Sequence, residues 1–322
     1  MVLRFLFALA ALFVCVPVTA LAQGYPSRPV RVIVTFPPGG TPDIYGRVMS
    51  AELQKIWNQS VVVENRTGAG GTIGTDYVAK AAPDGYTLLF AADASITIAP
   101  HLYSKLPYDP VRDLAPIVNV TAGPFVLMAN PAFPPNNVKE LIALVRAQPG
   151  KISYASSGAG GQQHLAMESI RTLAGNMDMI HVPYKGFGQG IADVLANQVP
   201  LIFGGITASI QFTRSGKLKA LGVTGPKRSR AMPDVPAIAE TLPGFDITAW
   251  YGFMAPAGTP REIVKKVHDD SVTIIHRADF LERLERDGID PVGNTPEEFA
   301  AQIKTDLARW AVIVKAAGAK LD

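Results

Sequence analysis

The chain has 322 residues, of which 48% are hydrophobic and 18% charged, and its formal net charge is +3 at pH 7. Its one cysteine, Cys15, lies in the apolar N-terminal segment, which excludes a disulfide framework or a cysteine metal site in the rest of the chain. The charges are mixed along the sequence, and the one basic cluster at 227–230 is too small to indicate nucleic-acid binding.

The first 22 residues have the pattern of a secretory signal peptide. Arg4 precedes an apolar run over 5–18, and Ala20-Leu21-Ala22 matches the small-residue cleavage site. The apolar run is short for a membrane span. We therefore expect cleavage after Ala22 and export to the periplasm, with an uncleaved anchor as the alternative. The mature chain would have 322 − 22 = 300 residues, enough for two domains.

Strand and helix patterns alternate along the mature chain. Apolar runs predict strands, and helical spacing, as in the stripe Tyr45, Met49, Leu53 and Ile56, predicts helices between them. This rhythm predicts an α/β fold with a parallel or mixed sheet. Strands are predicted at 30–34, 61–64, 87–91, 116–120, 125–129, 152–155, 179–182, 200–203, 219–223 and 247–255, and helices at 42–57, 72–82, 138–148, 162–173, 190–197, 206–214, 260–276, 278–287 and 296–316.

Glycine and small polar residues cluster where predicted strands end and helices begin. In the first corner, Gly39 and Gly40 permit a tight turn, Thr41 can cap the following helix and Pro42 suits its first position. Such corners present free N–H groups at the positive end of a helix, and ligands of open α/β sheets collect there. The corners together predict a neutral cradle for carboxylates; they lie at 38–41, 65–72, 92–95, 156–161 and 184–190.

Two other site types compete with this interpretation. A dinucleotide site is suggested by the glycines at 68–71 with Asp93 downstream, but Ile73 stands where the motif needs its third glycine. A hydrolase is suggested by Ser156 or Ser157 with His164, but a G-x-S-x-G elbow is missing. The five histidines lack metal-ligand spacing. We therefore predict a protein without catalytic residues, cofactor or metal.

The ordered motifs resemble those of the Bug-type (TctC-like) periplasmic solute-binding proteins of tripartite tricarboxylate transporters, over essentially the whole mature chain. The stretches that carry the resemblance are 25–30 (YPSRPV), 36–40 (FPPGG) with Asp43 and Arg47, 63–66 (VENR) leading to 68–71 (GAGG), 82–87 (APDGYT), 181–186 (HVPYKG), 216–218 (GKL), 242–245 (LPGF) and 255–260 (APAGTP).

The resemblance implies a type II periplasmic-binding-protein fold, in which two α/β lobes with mixed sheets are joined by a two-crossover hinge and close on a ligand. Residues 23–124 and 231–322 would form one lobe, and 125–230 the other. The implied function is a monomeric receptor that captures a small organic carboxylate, such as a di- or tricarboxylate or an aromatic acid. It would deliver this ligand to the membrane components of a tripartite tricarboxylate transporter.

The resemblance and the corners together predict the ligand-binding residues. Gly204 stands where the family commonly has an acidic residue, which weakens an amino-acid ligand, although Asp193 could still supply an acid. The predicted set is Phe36, Pro38, Gly39, Gly40, Thr41, Gly70, Gly71, Ser95, Ser157, Gly158, His164, Tyr184, Asp193 and Gly204. Two rival functions stay open: an exported enzyme acting on a carboxylate or ester, and a ligand sensor that feeds a signalling partner.

Overall fold

The computed structural model describes residues 24–321, so the predicted signal peptide lies outside the described residues. This part of the chain alternates strands and helices as the sequence predicts. The strands are β1 (Val30–Val34), β2 (Val61–Asn65), β3 (Thr87–Ala92), β4 (Leu114–Ala129), β5 (Ser153–Ser156), β6 (Ile180–Pro183), β7 (Leu201–Gly205), β8 (Lys219–Val223), β9 (Thr248–Pro256) and β10 (Asp290–Pro291). The α-helices are α1 (Thr41–Trp57), α2 (Thr72–Ala79), α3 (Ala99–Leu102), α4 (Val138–Ala147), α5 (Gln162–Leu173), α6 (Phe187–Leu195), α7 (Ile206–Arg214), α8 (Arg261–Ile275), α9 (Ala278–Asp287) and α10 (Pro296–Ala317).

Four local predictions are wrong. Gly40, and not Thr41, is the N-cap of α1, and Thr41 is its first helical residue. The strands predicted at 116–120 and 125–129 are one strand, β4, which continues through Pro124. The third corner is a short π-helical segment, Ala94–Ile98, that leads into α3. In the stripe of α1, Ile56 is exposed and Trp57 is buried in its place, because the end of the helix faces the core one position later.

The strands form one path in the order β2-β1-β3-β9-β4-β7-β5-β6, with β8 and β10 also paired to β4. The long strand β4 belongs to two sheets. Its first part, up to Pro124, pairs with β9, and from Phe125 onward it pairs with β7 and β8. Pro124 lacks an N–H and stands where the pairing partner changes, which is a position that proline tolerates in a strand. We call the first sheet with its helices the first lobe, and the second sheet with its helices the second lobe.

The parallel strands of the two lobes point at each other. Strands β1, β2 and β3 are parallel, and β9 is antiparallel to both β3 and β4, so β3 and β4 run the same way. Strand β7 is antiparallel to β4 and parallel to β5. The end of β3 is level with Thr121, and the end of β7 is opposite Phe125, four positions along β4. At about 3.3 Å per residue, the facing carboxyl ends are offset by about 13 Å along the strand direction.

A buried threonine joins the segments that cross between the lobes. Thr224 follows β8, and its Oγ1 donates to the carbonyl of Ile247 (2.5 Å) and accepts from the N–H of Phe125 (2.7 Å). Its own N–H donates to the carbonyl of Phe125, and the N–H of Ile247 donates to its carbonyl. Both crossovers are thereby hydrogen-bonded to each other at the point where β4 changes sheets.

Candidate ligand-binding cleft

A charged clamp holds the corner after β1. The carboxylate of Asp43 accepts from the N–H of Gly39 (3.0 Å), from Arg47 Nε (2.9 Å) and from Asn65 Nδ2 (2.7 Å). Burial opposes ionisation of Asp43, but these hydrogen bonds outweigh it and hold its pKa below the usual range. The N–H of Gly39 already donates to Asp43. The predicted anion site at this corner, which we call the anion seat, therefore consists of the N–H groups of Gly40 and Thr41.

The second corner meets the ends of β1 and β3 at Gly71. This glycine has φ +95°, and a methyl group on it would lie 3.0 Å from Thr35 Oγ1 and 3.2 Å from Ser95 Cβ. The hydroxyl of Thr75 donates to Ser95 Oγ (2.9 Å), which fixes the third corner against α2. Thr35 Oγ1 is buried and has no hydrogen-bond partner among residues 24–321. A side chain at position 71 would therefore push into a polar and tightly packed junction, whereas Gly70 beside it is exposed.

The corner after β5 is held without ionised side chains. Ser156 Oγ lies 2.7 Å from His181 Nε2 and accepts from the N–H of Gly158 at 3.2 Å. The hydroxyl of Ser157 donates to Gln163 Oε1 (2.6 Å). Ser156 is fully buried and its nitrogen partner is His181. The pairing of Ser156 or Ser157 with His164, which a hydrolase would need, is therefore not formed.

His164 belongs to a stack of three rings behind this corner. The rings of Tyr154 and His181 are 5.0 Å apart, and those of His181 and His164 are 4.0 Å apart, both nearly parallel. His164 Nδ1 accepts from the N–H of Gly160 (3.1 Å), so this ring holds the glycine turn. Burial, aided by the neighbouring His164, lowers the pKa of His181 to about 4, and burial also lowers the pKa of His164. Both imidazoles are therefore neutral at pH 7.

Two further predicted residues of the second lobe bind each other. The hydroxyl of Tyr184 donates to Asp193 Oδ2 (2.6 Å), and burial together with this bond raises the pKa of Tyr184 to about 12. The N–H of Tyr184 donates to the carbonyl of Ser156, which joins this corner to the one after β5. One carboxylate oxygen of Asp193 is thus engaged by a side chain of its own lobe.

Gly204, at the end of β7, has no room for a side chain. A methyl group there would lie within 3 Å of Met128 Cε, Ser209 Oγ and the ring of Phe187. An acidic residue could stand at this position only if these three neighbours moved. The end of β7 therefore consists of backbone beside the Phe187 ring and carries no charged side chain.

The two lobes contact each other at their facing corners. A methyl group on Gly205 would lie 3.7 Å from Thr41 Oγ1, and Gln162 Nε2, at the start of α5, donates to Asp93 Oδ2, just after β3 (2.6 Å). The sequence places Asp93 in the third corner but not among the predicted ligand-binding residues, and Gln162 is likewise absent from that set. No local pattern of the sequence pairs the two residues.

The predicted residues thus fall into two facing groups. Phe36, Pro38, Gly39, Gly40, Thr41, Gly71 and Ser95 lie on or beneath the first-lobe corners, and Ser157, Gly158, His164, Tyr184 and Gly204 lie on or beneath those of the second lobe. Within residues 24–321, His, Asp and Glu form no group of three that could hold a metal ion. Over the same range, no helix has the length and apolar character of a membrane span.

Comparisons with known proteins agree with this architecture. Residues 45–319 match the family model described as tripartite tricarboxylate transporter family receptor. The periplasmic binding protein BugD is 37% identical, with a TM-score of 0.82 over 92% of this chain and 99% of that one. A Rhodopseudomonas palustris protein, Rpa4515, solved with adipate, is 31% identical, with a TM-score of 0.86 over 92% and 100%. MatC from the same organism, solved with bound malate, is 32% identical, with a TM-score of 0.80 over 90% and 100%.

Proposed function

We infer the function from the premise that the chain belongs to the family of tripartite tricarboxylate transporter receptors. The protein is a solute-binding receptor of the periplasmic type that captures a carboxylate for a tripartite transporter. The geometric observation that best supports this function is the set of facing strand ends. Two sets of parallel strands point their carboxyl ends at each other, offset by about 13 Å along the strand direction, and corners rich in glycine and small residues occupy those ends.

The finer proposal concerns how the ligand is held. We propose that one carboxylate of the ligand lies on the N–H groups of Gly40 and Thr41, where the N-terminus of α1 favours negative charge. The corner of Ser157 and Gly158 would contact the ligand from the second lobe. Gly70, Phe36, Tyr184 and Asp193 complete the proposed wall of the cleft. Binding shifts the lobes towards the closed arrangement, because only that arrangement lets both faces contact one small molecule.

We propose a dicarboxylate, or another simple carboxylate, as the ligand. Two relatives were solved with dicarboxylates, adipate and malate. The crowding around Gly204 leaves no acidic side chain at the end of β7 to meet a ligand ammonium group. Tricarboxylates and aromatic acids remain within the proposed class, and amino acids are disfavoured.

The rest of the proposal follows from the same premise. We propose that the chain is exported, is cleaved after Ala22 and acts as a monomer without chemistry of its own. The lobes would comprise residues 23–124 with 231–322, and residues 125–230. The partners would be the membrane components of the transporter.

A thermal-shift screen of the ligand-free mature chain tests the proposal. Mono-, di- and tricarboxylates, aromatic acids and amino acids are compared, since a ligand of the folded state raises the melting temperature. We expect a clear rise with dicarboxylates and recovery of the unchanged compound by mass spectrometry. Turnover of the compound would indicate the exported enzyme instead. Binding without uptake in cells that carry the transporter would favour the sensor, and the absence of any shift would contradict the carboxylate site.

A further inference from the structure

Asp93 is a buried carboxyl group placed between the two lobes. It follows β3 directly, at the facing edge of the first lobe, and only 1% of it is exposed. Its Oδ2 accepts from the side-chain amide of Gln162, the first residue of α5 in the second lobe, at 2.6 Å. The contact exists only when the lobes are together, so the surroundings of Asp93 change when the cleft opens.

The second oxygen of Asp93 has no partner. Oδ1 is buried and accepts no hydrogen bond of normal geometry within residues 24–321, although the N–H groups of Asp93 and Ala94 lie near the carboxyl group. Buried polar atoms are nearly always paired, and an unpaired one in a ligand cleft indicates a missing partner. If the ligand is a carboxylate, as proposed above, its oxygens can only accept, so the hydrogen of such a bond must be on Asp93.

The groups that face Asp93 favour a proton on it. Asp306 of α10 adds a second negative charge, and Tyr251 of β9 is a neutral neighbour. A nearby cation, Arg309, places its Nη2 3.1 Å from Asp306 Oδ1, so part of its charge is already paired. Burial and then the charge of Asp306 raise the pKa of Asp93 well above the usual range, against the opposing effects of Arg309 and the N–H of Ala94.

We propose that closure takes up one proton at Asp93, whose Oδ1 then donates a hydrogen bond to the bound carboxylate while Gln162 holds Oδ2. The proton comes from solvent, no covalent bond changes, and the receptor binds its ligand together with one proton. This inference rests on the proposed carboxylate-binding function. The proton removes the repulsion between Asp93 and the ligand that two buried carboxylates would suffer.

Titration calorimetry with malate and adipate tests the inference, repeated in two buffers of different ionisation enthalpy between about pH 5 and about pH 8. The proposal requires Asp93 to be ionised in the open form, where Gln162 is withdrawn and water reaches the carboxyl group, and protonated in the closed form. We therefore expect uptake of about one proton per bound ligand. Between the usual Asp pKa and the raised pKa of Asp93, the affinity should fall about tenfold for each unit by which the pH rises.

Asp93→Asn and Asp269→Asn are the matched variants. The asparagine amide keeps a donor at position 93 but cannot take up a proton, so both the proton uptake and the pH dependence should disappear. Asp269 is an exposed acid on α8 that pairs with Lys265, and its variant should keep both. The wild-type proton count needs no variant, so misfolding of Asp93→Asn would still leave the inference testable.

The outcomes separate this inference from the function on which it rests. Carboxylate binding without proton uptake would overturn the inference and leave the receptor function intact. If malate and adipate fail, the strongest carboxylate from the thermal-shift screen takes their place. No binding by any carboxylate would refute both proposals. Binding of amino acids alone, with an affinity that rises with pH, would mean that an ionised Asp93 meets an ammonium group, and would also overturn the inference.

Discussion

The corner after β1 and the corner after β5 begin helices in the same way but are held by different interactions. In the first lobe, the ionised carboxylate of Asp43 binds Gly39, Arg47 and Asn65. In the second lobe, neutral rings stack behind the turn, and His164 accepts from the N–H of Gly160. The difference shows that glycine turns need support from behind the strand ends, and that either charge or aromatic packing can supply it.

The largest expected effect is on binding and comes from the first corner. Gly40 has φ −78°, and a methyl group there would make only ordinary contacts at 3.7 Å, so valine fits the backbone. Its side chain would cover the proposed anion seat and remove hydrogen bonds to a charged group. We expect Gly40→Val to weaken carboxylate binding about 100-fold or more with an unchanged melting temperature, measured by calorimetry and thermal unfolding. Gly24→Val is the control, since nothing lies within 4 Å of that site; retained affinity in Gly40→Val would refute the placement of the seat.

Removing the charged clamp should have the largest effect on stability. Asp43→Ala deletes the common acceptor of Gly39, Arg47 and Asn65, and hydrogen bonds to charged groups are worth more than neutral ones. We expect a loss of about 2–3 kcal/mol in the free energy of unfolding, measured by urea denaturation. Asp279→Ala, on the exposed surface, should change it by less than about 0.5 kcal/mol. An equal effect in the two variants would mean that the clamp does not hold the corner.

Breaking the ring stack should cost somewhat less. His181→Ala removes one stacked pair on each side of the ring and leaves Ser156 Oγ without its side-chain partner. We expect a loss of about 1.5–2 kcal/mol in the free energy of unfolding, from the lost stacking and one lost hydrogen bond, since Ser156 Oγ keeps its hydrogen bonds to the backbone of Gly158. His276→Ala, at an exposed position, is the control. If the two histidine variants unfold at the same urea concentration, the stack does not support the second lobe.

The smallest expected effect is a pH dependence of stability that differs between the two corners. The pKa of His181 is about 4 in the folded protein, below its usual value of about 6.5 when unfolded. The stability it contributes is complete above about pH 6.5 and is lost as the pH falls towards about 4. With allowance for solvent screening, we expect a loss of about 1 kcal/mol at about pH 5 that is reduced in His181→Phe.

The clamp should respond at lower pH than the stack. The pKa of Asp43 lies below the usual range, so its contribution persists down to about pH 3.8 and is lost only below that value. Urea denaturation should therefore give a lower free energy of unfolding at about pH 5 than at about pH 7. This difference should be the same in Asp43→Ala as in the wild type. If the loss of stability at about pH 5 disappears in Asp43→Ala, the acid sensitivity comes from the clamp and not from the ring stack, and the prediction is wrong.

Much of the fold followed from local patterns. The alternation of strands and helices and the glycine turns after β1, β2 and β5 depend on neighbours in the chain, and these predictions are confirmed. The continuous β4 was missed because Pro124 normally interrupts a strand, and only its place between two sheets makes it acceptable. The partner of Ser156 was also missed, since His181 comes beside Ser156 only when β6 pairs with β5, whereas His164 is nearer in the sequence.

The sequence by itself determined the α/β class, the family and the corners that carry the proposed ligand contacts, because turn residues, helix caps and apolar periodicity act over a few residues. Only the tertiary structure decided which side chains work together across the cleft. Asp93 and Gln162 are 69 residues apart, and their meeting depends on β4 joining two oppositely directed sets of strands. Burial, which sets the charge of Asp93 and of the stacked histidines, is likewise a property of the packed lobes and of no short segment of the chain.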